Sequence, residues 1–173
     1  MDITYRIAAL PDLDEVWSFV HNVINNMISQ NILQWDELYP DKEILREDIL
    51  KGQLRLGIVH EQIATIYVIN QECEDEYKYG KWKYEDISCC VIHRLCVNPT
   101  FQNIGIGRIT MLYIEKEVQS MGMQAIRLDA FLQNLPALKL YNNLGYARVG
   151  EVDWRKGRFY LLEKLITTES EKR

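Results

Sequence analysis

Nowhere in this chain do about 18 apolar residues run together without a charge, the length a membrane-spanning helix requires. The opening MDITYRIAAL also lacks the basic start and long apolar run of a secretory signal. These two absences predict a cytoplasmic protein with no membrane partner. Cysteine is scarce: Cys73, Cys89, Cys90 and Cys96 make up the whole complement, and no C-x-x-C pair occurs. Adjacent Cys89 and Cys90 point to opposite faces of a strand, so reduced thiols and no metal site are expected. Cations are in deficit, with 20 Lys and Arg against 25 Asp and Glu and a net charge of −5. Phosphate-backbone binding needs clustered Lys and Arg, so no nucleic-acid partner is expected. The acidic balance leans instead toward an amine-bearing partner. There is no repeat, linker or low-complexity tract beyond the charged end TTESEKR.

What remains is ordinary for a folded chain: 173 residues, 47% apolar and 26% charged, enough for one domain with a real core. That domain is expected over residues 1–166, with 167–173 as a charged tail. ITYRIA reads as a strand. Val16, Val20, Val23 and Met27 recur at helical spacing after Pro11, which suits a first helical turn. DKEILREDILKG reads as a second helix, with Asp41 as N-cap and Gly52 as stop. LRLGIVH and QIATIYVIN form a hairpin across His60-Glu61. Residues 71–86, polar and aromatic without a period, read as a surface loop or an extended hairpin end. ISCCVIHRLCV is too continuously apolar for a strand with one wet face, so it is placed centrally. A helix over 105–121 stops at Gly122, QAIRLDAF is a strand, and LPALKLYNNL is a short helix that stops at Gly145. YARVGEVDW and RFYLLEKLI close the chain as two strands joined at Lys156-Gly157. The order β-α-α-β-β-β-α-β-α-β-β predicts an α/β fold of the mixed α+β kind: a central mixed sheet of six to seven strands with helices on both sides.

Between the central strand and the third helix lies NPTFQNIGIGRI, residues 98–109. A glycine loop that feeds a helix N-terminus is an anion site, because the first-turn N–H groups have no helical partner and glycine lets a bulky diphosphate approach. The Walker loop is excluded, since Arg108 and Ile109 follow Gly107 where Lys and Ser/Thr are required. The dinucleotide fingerprint is excluded as well. Thr110 holds the place of its third glycine, and NPTFQ separates strand from loop.

The motif that does fit is Q/R-x-x-G-x-G/A, matched by Gln102, Asn103, Ile104, Gly105, Ile106 and Gly107. It resembles the pyrophosphate loop of the GNAT acyltransferases. HRLCVNPTFQNIGIG is similar to that family's fourth strand and loop. LDAFLQNLPALKLYNNLGY is similar to its fifth strand and following helix, with N-x-x-A-x-x-x-Y-x-x-x-G-[FY]. The element order agrees over nearly the whole chain, and the resemblance implies the GNAT acyl-CoA N-acyltransferase fold. It implies acetyl-CoA as cosubstrate, with the diphosphate on the backbone N–H groups of roughly Gln102 to Arg108 and the Arg108 charge nearby. It also implies that Leu95, Cys96 and Val97 pair with the pantetheine arm, one of their N–H groups serving as oxyanion donor. Asn134 corresponds to an asparagine that contacts pantetheine, and it also suits the N-cap of its helix. Tyr141 corresponds to the family's tyrosine that protonates the departing thiolate. A phenol of pKa about 10 stays protonated against a thiol of about 8.5.

His93, two residues before Leu95 and expected on the same strand face, is the candidate base for the attacking amine, because an ordinary histidine titrates near neutral pH. Arg94, on the other face, is expected in a structural ion pair. Cys96 reads as a small buried hydrophobe rather than an acyl carrier. For the acceptor pocket, Trp35, Glu37, Tyr39, Phe131, Asp153 and Tyr160 are candidates, since aromatic walls with a carboxylate suit an ammonium group. Asp129 either orients the tyrosine helix or lines the pocket. The expected activity is acetyl transfer from acetyl-CoA to a primary amine of a small molecule, by direct attack in a ternary complex. Protein N-terminal or lysine acetylation keeps the same fold, and a non-catalytic CoA-binding sensor is the alternative of another class. The late strands are candidate contacts for a homodimer.

Overall fold

Apolar periodicity becomes secondary structure in the order the sequence implies. The computed structural model of the chain describes residues 2–166, and the charged tail 167–173 lies outside the described residues. The elements are β1 (Thr4–Ile7), α1 (Leu13–Ser29), α2 (Lys42–Leu50), β2 (Leu54–Val59), β3 (Gln62–Asn70), β4 (Cys89–Val97), α3 (Ile106–Ser120), β5 (Ala125–Phe131), α4 (Leu135–Asn143), β6 (Ala147–Trp154) and β7 (Gly157–Leu165). The strands form one seven-stranded mixed sheet in the order β1-β2-β3-β4-β5-β7-β6. β4 and β5 run parallel, as a crossover through α3 demands, and the hairpin-linked pairs β2–β3 and β6–β7 run antiparallel. Among the described residues no helix is long and apolar enough to cross a membrane. The chain divides into two compact units, one from the N-terminus to Ile69 with His93–Thr110, the other Asn70–Ile92 with the described residues from Met111 onward.

In the first unit, α1 buries Val16, Phe19, Val20, Val23, Ile24 and Met27, the single stripe that helical spacing predicts. Pro11 lies in a short 3-10 turn just ahead of it. Asp12 there takes a two-pronged hydrogen bond from Arg6, at 2.7 and 2.8 Å, and a backbone N–H from Ala9. Asp41 caps α2 as expected, accepting from Ile44 N at 2.8 Å. His60 and Glu61 have φ of 48° and 63°, the two consecutive left-handed residues of a tight hairpin turn.

β4 departs from regular geometry at one residue. Its parallel register with β5 runs from Cys89↔Ala125 to Ile92↔Leu128, and two residues later Arg94 has φ of 53°. A left-handed residue swings the following amide and carbonyl out of the ladder, which makes it a bulge. The alternation that was expected to set His93 and Leu95 on one face therefore does not carry through Arg94. The side chain of Arg94 forms the ion pair the sequence suggested. Its guanidinium grips Asp48 of α2 through Nε at 2.7 Å and Nη2 at 2.6 Å, and Nη1 donates to the Tyr39 hydroxyl at 2.9 Å. Arg94 and Asp48 side chains are only 11% and 8% exposed. Burial pushes the Asp48 carboxyl above its usual range in spite of the guanidinium. Arg94 itself stays charged, because Tyr39 and Asp48 outweigh its desolvation.

In the second unit the 71–86 stretch lies mostly at the surface as a loop, as expected, yet it is firmly anchored. Asp75–Tyr79 is a 3-10 turn, and Tyr77 is 3% exposed. Trp82 stacks on Tyr77 at 5.4 Å and donates its indole N–H to the Tyr77 carbonyl at 2.7 Å. The Arg127 guanidinium lies 4.3 Å from the Trp82 ring and is paired with buried Glu163, directly opposite it on β7. Glu163 also accepts the Lys83 N–H at 2.9 Å, and Arg127 donates to the Tyr84 carbonyl at 2.6 Å. Aromatic bulk and backbone donors, not a period, tie this segment down, so no periodicity could announce it.

Because Asp48 and Arg94 are buried together, removing one strands the other. Arg94→Met is expected to cost about 3–5 kcal/mol in a urea unfolding titration, and adding Asp48→Leu to recover most of the loss. A cost under about 1 kcal/mol for Arg94→Met would show that the fork does not hold the bulge.

Candidate active site

The loop after β4 is built as a cradle of amides. Asn98 fixes its start: the side chain accepts from Thr100 N at 3.1 Å and donates to the Ile63 carbonyl at 3.0 Å, and its own N–H goes to the Ala64 carbonyl. Pro99–Phe101 makes a 3-10 turn. Asn103 and Gly105 then have φ of 61° and 91°. Two left-handed residues in so short a run turn successive N–H groups to one side, the arrangement of an anion nest. The first helical bond of α3 is Ile109 N to the Gly105 carbonyl at 3.0 Å. The N–H groups of Ile106, Gly107 and Arg108 thus have no intrahelical acceptor and face the positive end of the helix dipole. Arg108 is exposed on this first turn.

Side chains of the motif have other duties. Gln102 donates through Nε2 to the Val97 carbonyl at 3.3 Å and accepts from Asn26 of α1 at 3.4 Å, and its backbone N–H goes to the Pro99 carbonyl at 3.4 Å. Gln102 therefore staples the loop to the end of β4, and the cradle proper begins after it. Ile106 is 1% exposed in a cluster with Val59 and Ala64, while Ile104 is 52% exposed. Thr110 is fully buried, and its hydroxyl meets the Tyr5 hydroxyl at 3.0 Å. A side chain thus does at Thr110 what a dinucleotide site leaves to a third glycine.

Upstream, Leu95 and Val97 are half-buried and Cys96 is buried. The Cys96 carbonyl accepts from the Thr65 hydroxyl at 2.8 Å, so it is already engaged. Burial pushes the Cys96 thiol far up, which keeps it a protonated, inert sulfur. His93, half-buried, immediately precedes the bulge residue.

In the second unit, β5 leads through Asn134 into α4, which packs back on β5. Asn134 caps the helix, accepting from Ala137 N at 3.2 Å. The far end explains the spacing Tyr-x-x-x-Gly-Tyr. Tyr146 N donates to the Tyr141 carbonyl at 3.0 Å and Gly145 N to the Asn142 carbonyl at 3.0 Å, with Gly145 at φ 82°. This is a Schellman stop, whose usual apolar contact is supplied here by the Tyr141 and Tyr146 rings, 5.9 Å apart and edge to face. Tyr141 is 7% exposed. Behind it the Tyr146 phenol is pushed well up by burial and then by Glu115, which pairs with Lys164 at 2.6 Å.

The acceptor candidates fall in different settings. In the first unit Trp35 is buried at 6% and Glu37 is exposed, with Tyr39 committed to Arg94. In the second unit Phe131 is 2% exposed, 5.1 Å from the Phe159 ring, which Trp154 meets at 5.0 Å. Asp153 is paired with Arg158 at 3.0 Å, and Arg148 stacks 3.8 Å from the Tyr160 ring. Asp129, left open by the sequence, accepts from the Tyr77 hydroxyl at 2.8 Å.

A methyl group at Gly105 would meet no atom within 4 Å, so the cost of Gly105→Ala is backbone strain alone. A loss of about 1–2 kcal/mol in stability is expected, with weaker coenzyme A binding by calorimetry. Unchanged affinity would remove Gly105 from the cradle.

Comparison with known proteins bears on what the cradle holds. Residues 52–146 match the family model described as Acetyltransferase (GNAT) family. Among solved structures, a GNAT acetyltransferase from Streptococcus agalactiae 2603 superposes with a TM-score of 0.82 at 20% identity, over 96% of each chain. One from Listeria monocytogenes 4b F2365 gives 0.76 at 20% identity over 94% of each. The PaiA N-acetyltransferase of Thermoplasma acidophilum, solved with coenzyme A, gives 0.72 at 16% identity over 95% of this chain and 99% of that one. At such identities the superpositions establish the fold, and no curated protein matches the sequence. The family match spans β2 to the Schellman stop, from strand through loop to tyrosine helix, and it makes the chain a member of the GNAT family: an acetyl-CoA-dependent acetyltransferase.

Proposed function

We propose that the protein transfers the acetyl group of acetyl-CoA to a primary amine of a small molecule, by direct attack in a ternary complex, with residues 1–166 acting as one catalytic domain. The observation that carries this reading is the amide cradle, with Asn103 and Gly105 left-handed and the first turn of α3 unpaired. The diphosphate of CoA supplies the anion such a cradle takes, contacting the N–H groups from Asn103 to Arg108. The backbone of Leu95, Cys96 and Val97, just past the left-handed Arg94, pairs with the pantetheine arm, and one N–H there receives the developing oxyanion. Asn134 adds a pantetheine contact beside its capping bond.

The amine nitrogen attacks the thioester carbonyl carbon. The C–N bond forms as the C–S bond breaks, and the electron pair leaves on sulfur. Tyr141 gives its phenol proton to that thiolate. His93, directly or through water, takes the proton the amine loses. The inert Cys96 thiol supports direct transfer over an acyl-cysteine. A small acceptor is supported by the aromatic group Phe131, Phe159 and Trp154 beside β5, with Trp35 and Glu37 as further candidate contacts.

An acceptor screen that follows CoA release tests the reading. Tyr141→Phe is expected to lower kcat by about 10²–10⁴ with little change in the KM for acetyl-CoA, and unchanged turnover would remove its role. For His93→Ala the acidic limb of the pH–rate profile is expected to vanish. Persistence of that limb would exclude His93 as the titrating base. Acetylation of a peptide array in preference to every small amine would overturn the acceptor class.

A further inference from the structure

Within β3 every residue from Ile63 to Ile69 is buried, and Thr65 is fully so. Such a hydroxyl needs an acceptor, and Thr65 donates to the Cys96 carbonyl of β4 at 2.8 Å. Valine would fill nearly the same space with a similar preference for a strand and no polar atom to satisfy. What threonine adds at this position is the bond to β4.

A trans peptide is planar, so the Cys96 carbonyl and the Val97 N–H point in opposite directions. Holding the oxygen therefore aims the N–H. A hydrogen bond to the oxygen also polarises the amide and strengthens its N–H as a donor. The next peptide is held at both ends: Gln102 Nε2 donates to the Val97 carbonyl at 3.3 Å, and Asn98 N donates to the Ala64 carbonyl at 2.8 Å. Adjacent residues of β3, Ala64 and Thr65, thus grip two successive peptides at the end of β4. Gly57 makes room for this. It stands opposite Thr65 in the antiparallel pairing of β2 with β3, and a methyl group there would lie 2.5 Å from the Thr65 methyl and 2.9 Å from the Tyr5 ring. Tyr5 closes over the same spot from β1, and its hydroxyl meets Thr110 of α3 at 3.0 Å. Packing from β1 and β2 therefore confines the Thr65 side chain on the side away from β4.

We propose that Thr65 is a positioning residue for the coenzyme: its hydroxyl holds the Cys96 carbonyl and so directs the Val97 N–H at the pantetheine arm of acetyl-CoA. The proposal rests on the reading that Leu95, Cys96 and Val97 pair with that arm, and it selects from them one amide and the side chain that aims it. Thr65 itself touches no substrate. Its contribution is preorganisation, since an amide already aimed has little freedom left to lose when the arm arrives.

The test titrates the full chain by calorimetry with coenzyme A and with 3′-phospho-ADP, the half of the coenzyme that carries the diphosphate and no pantetheine. Thr65→Val is expected to weaken coenzyme A binding about five- to tenfold and to leave 3′-phospho-ADP binding in place. Thr65→Ser keeps the hydroxyl and gives up a buried methyl, so it is expected to lower the thermal midpoint while binding coenzyme A as the wild type does. A residue that only supported the fold would make affinity follow stability rather than the hydroxyl. Equal losses for both ligands in Thr65→Val, or a Thr65→Ser chain that binds coenzyme A as weakly as Thr65→Val, would overturn the proposal. A wild type that binds coenzyme A no better than 3′-phospho-ADP removes the pairing of pantetheine with β4, and the proposal with it. A wild-type preference for coenzyme A that persists undiminished in Thr65→Val removes the role of Thr65 alone.

Discussion

The left-handed backbone at Arg94 is unfavourable by about 1–2 kcal/mol for a residue with a side chain, and the fork between Arg94 and Asp48 is what keeps it in that state. β4 is an ordinary buried strand from Cys89 to Ile92, paired residue for residue with β5. The pairing with β5 stops at Ile92, while β4 itself runs on past Arg94 to Val97. Holding the bend with a buried ion pair is costly in desolvation, which is why the carboxyl of Asp48 is pushed up. Tyr39 joins the pair, so the poorly periodic QWDELYP stretch helps to fix the bend.

The loop that follows inherits its position from this strand. Gln102 grips the Val97 carbonyl, Asn98 grips the β3 backbone, and Ile106 plugs a small cluster under the first turn of α3. None of these side chains needs to touch a cosubstrate for the cradle to work. They hold amides still, and preorganised amides at a helix N-terminus are effective because they need no reorganisation when the anion arrives. The tyrosine helix follows a similar logic. Its Tyr-x-x-x-Gly-Tyr spacing is first a Schellman stop, and that stop fixes where the Tyr141 ring lies against its neighbour.

In the second unit a fully buried Glu163 and its partner Arg127 carry the 71–86 segment. Such a pair adds little net stability over an apolar replacement. It does impose a single arrangement on a stretch rich in Tyr, Trp and Lys that would otherwise have many, and Asp129 belongs to that arrangement through Tyr77.

Where a structural cause is local, the sequence by itself determined the outcome. Apolar stripes gave the helices, Asp41 and Asn134 their caps, Gly52 and Gly145 their stops, and Q-x-x-G-x-G with the tyrosine block gave the family and the cosubstrate. What joins residues far apart in the chain was settled by tertiary structure alone: the Asp48–Arg94 fork at the left-handed turn of β4, the bonds by which Gln102 staples its loop, and the burial of Tyr77 within a largely exposed stretch. A period records which face of an element is apolar and says nothing about which distant charge or hydroxyl will meet it. Such contacts exist only when packing removes the water that would otherwise satisfy both partners.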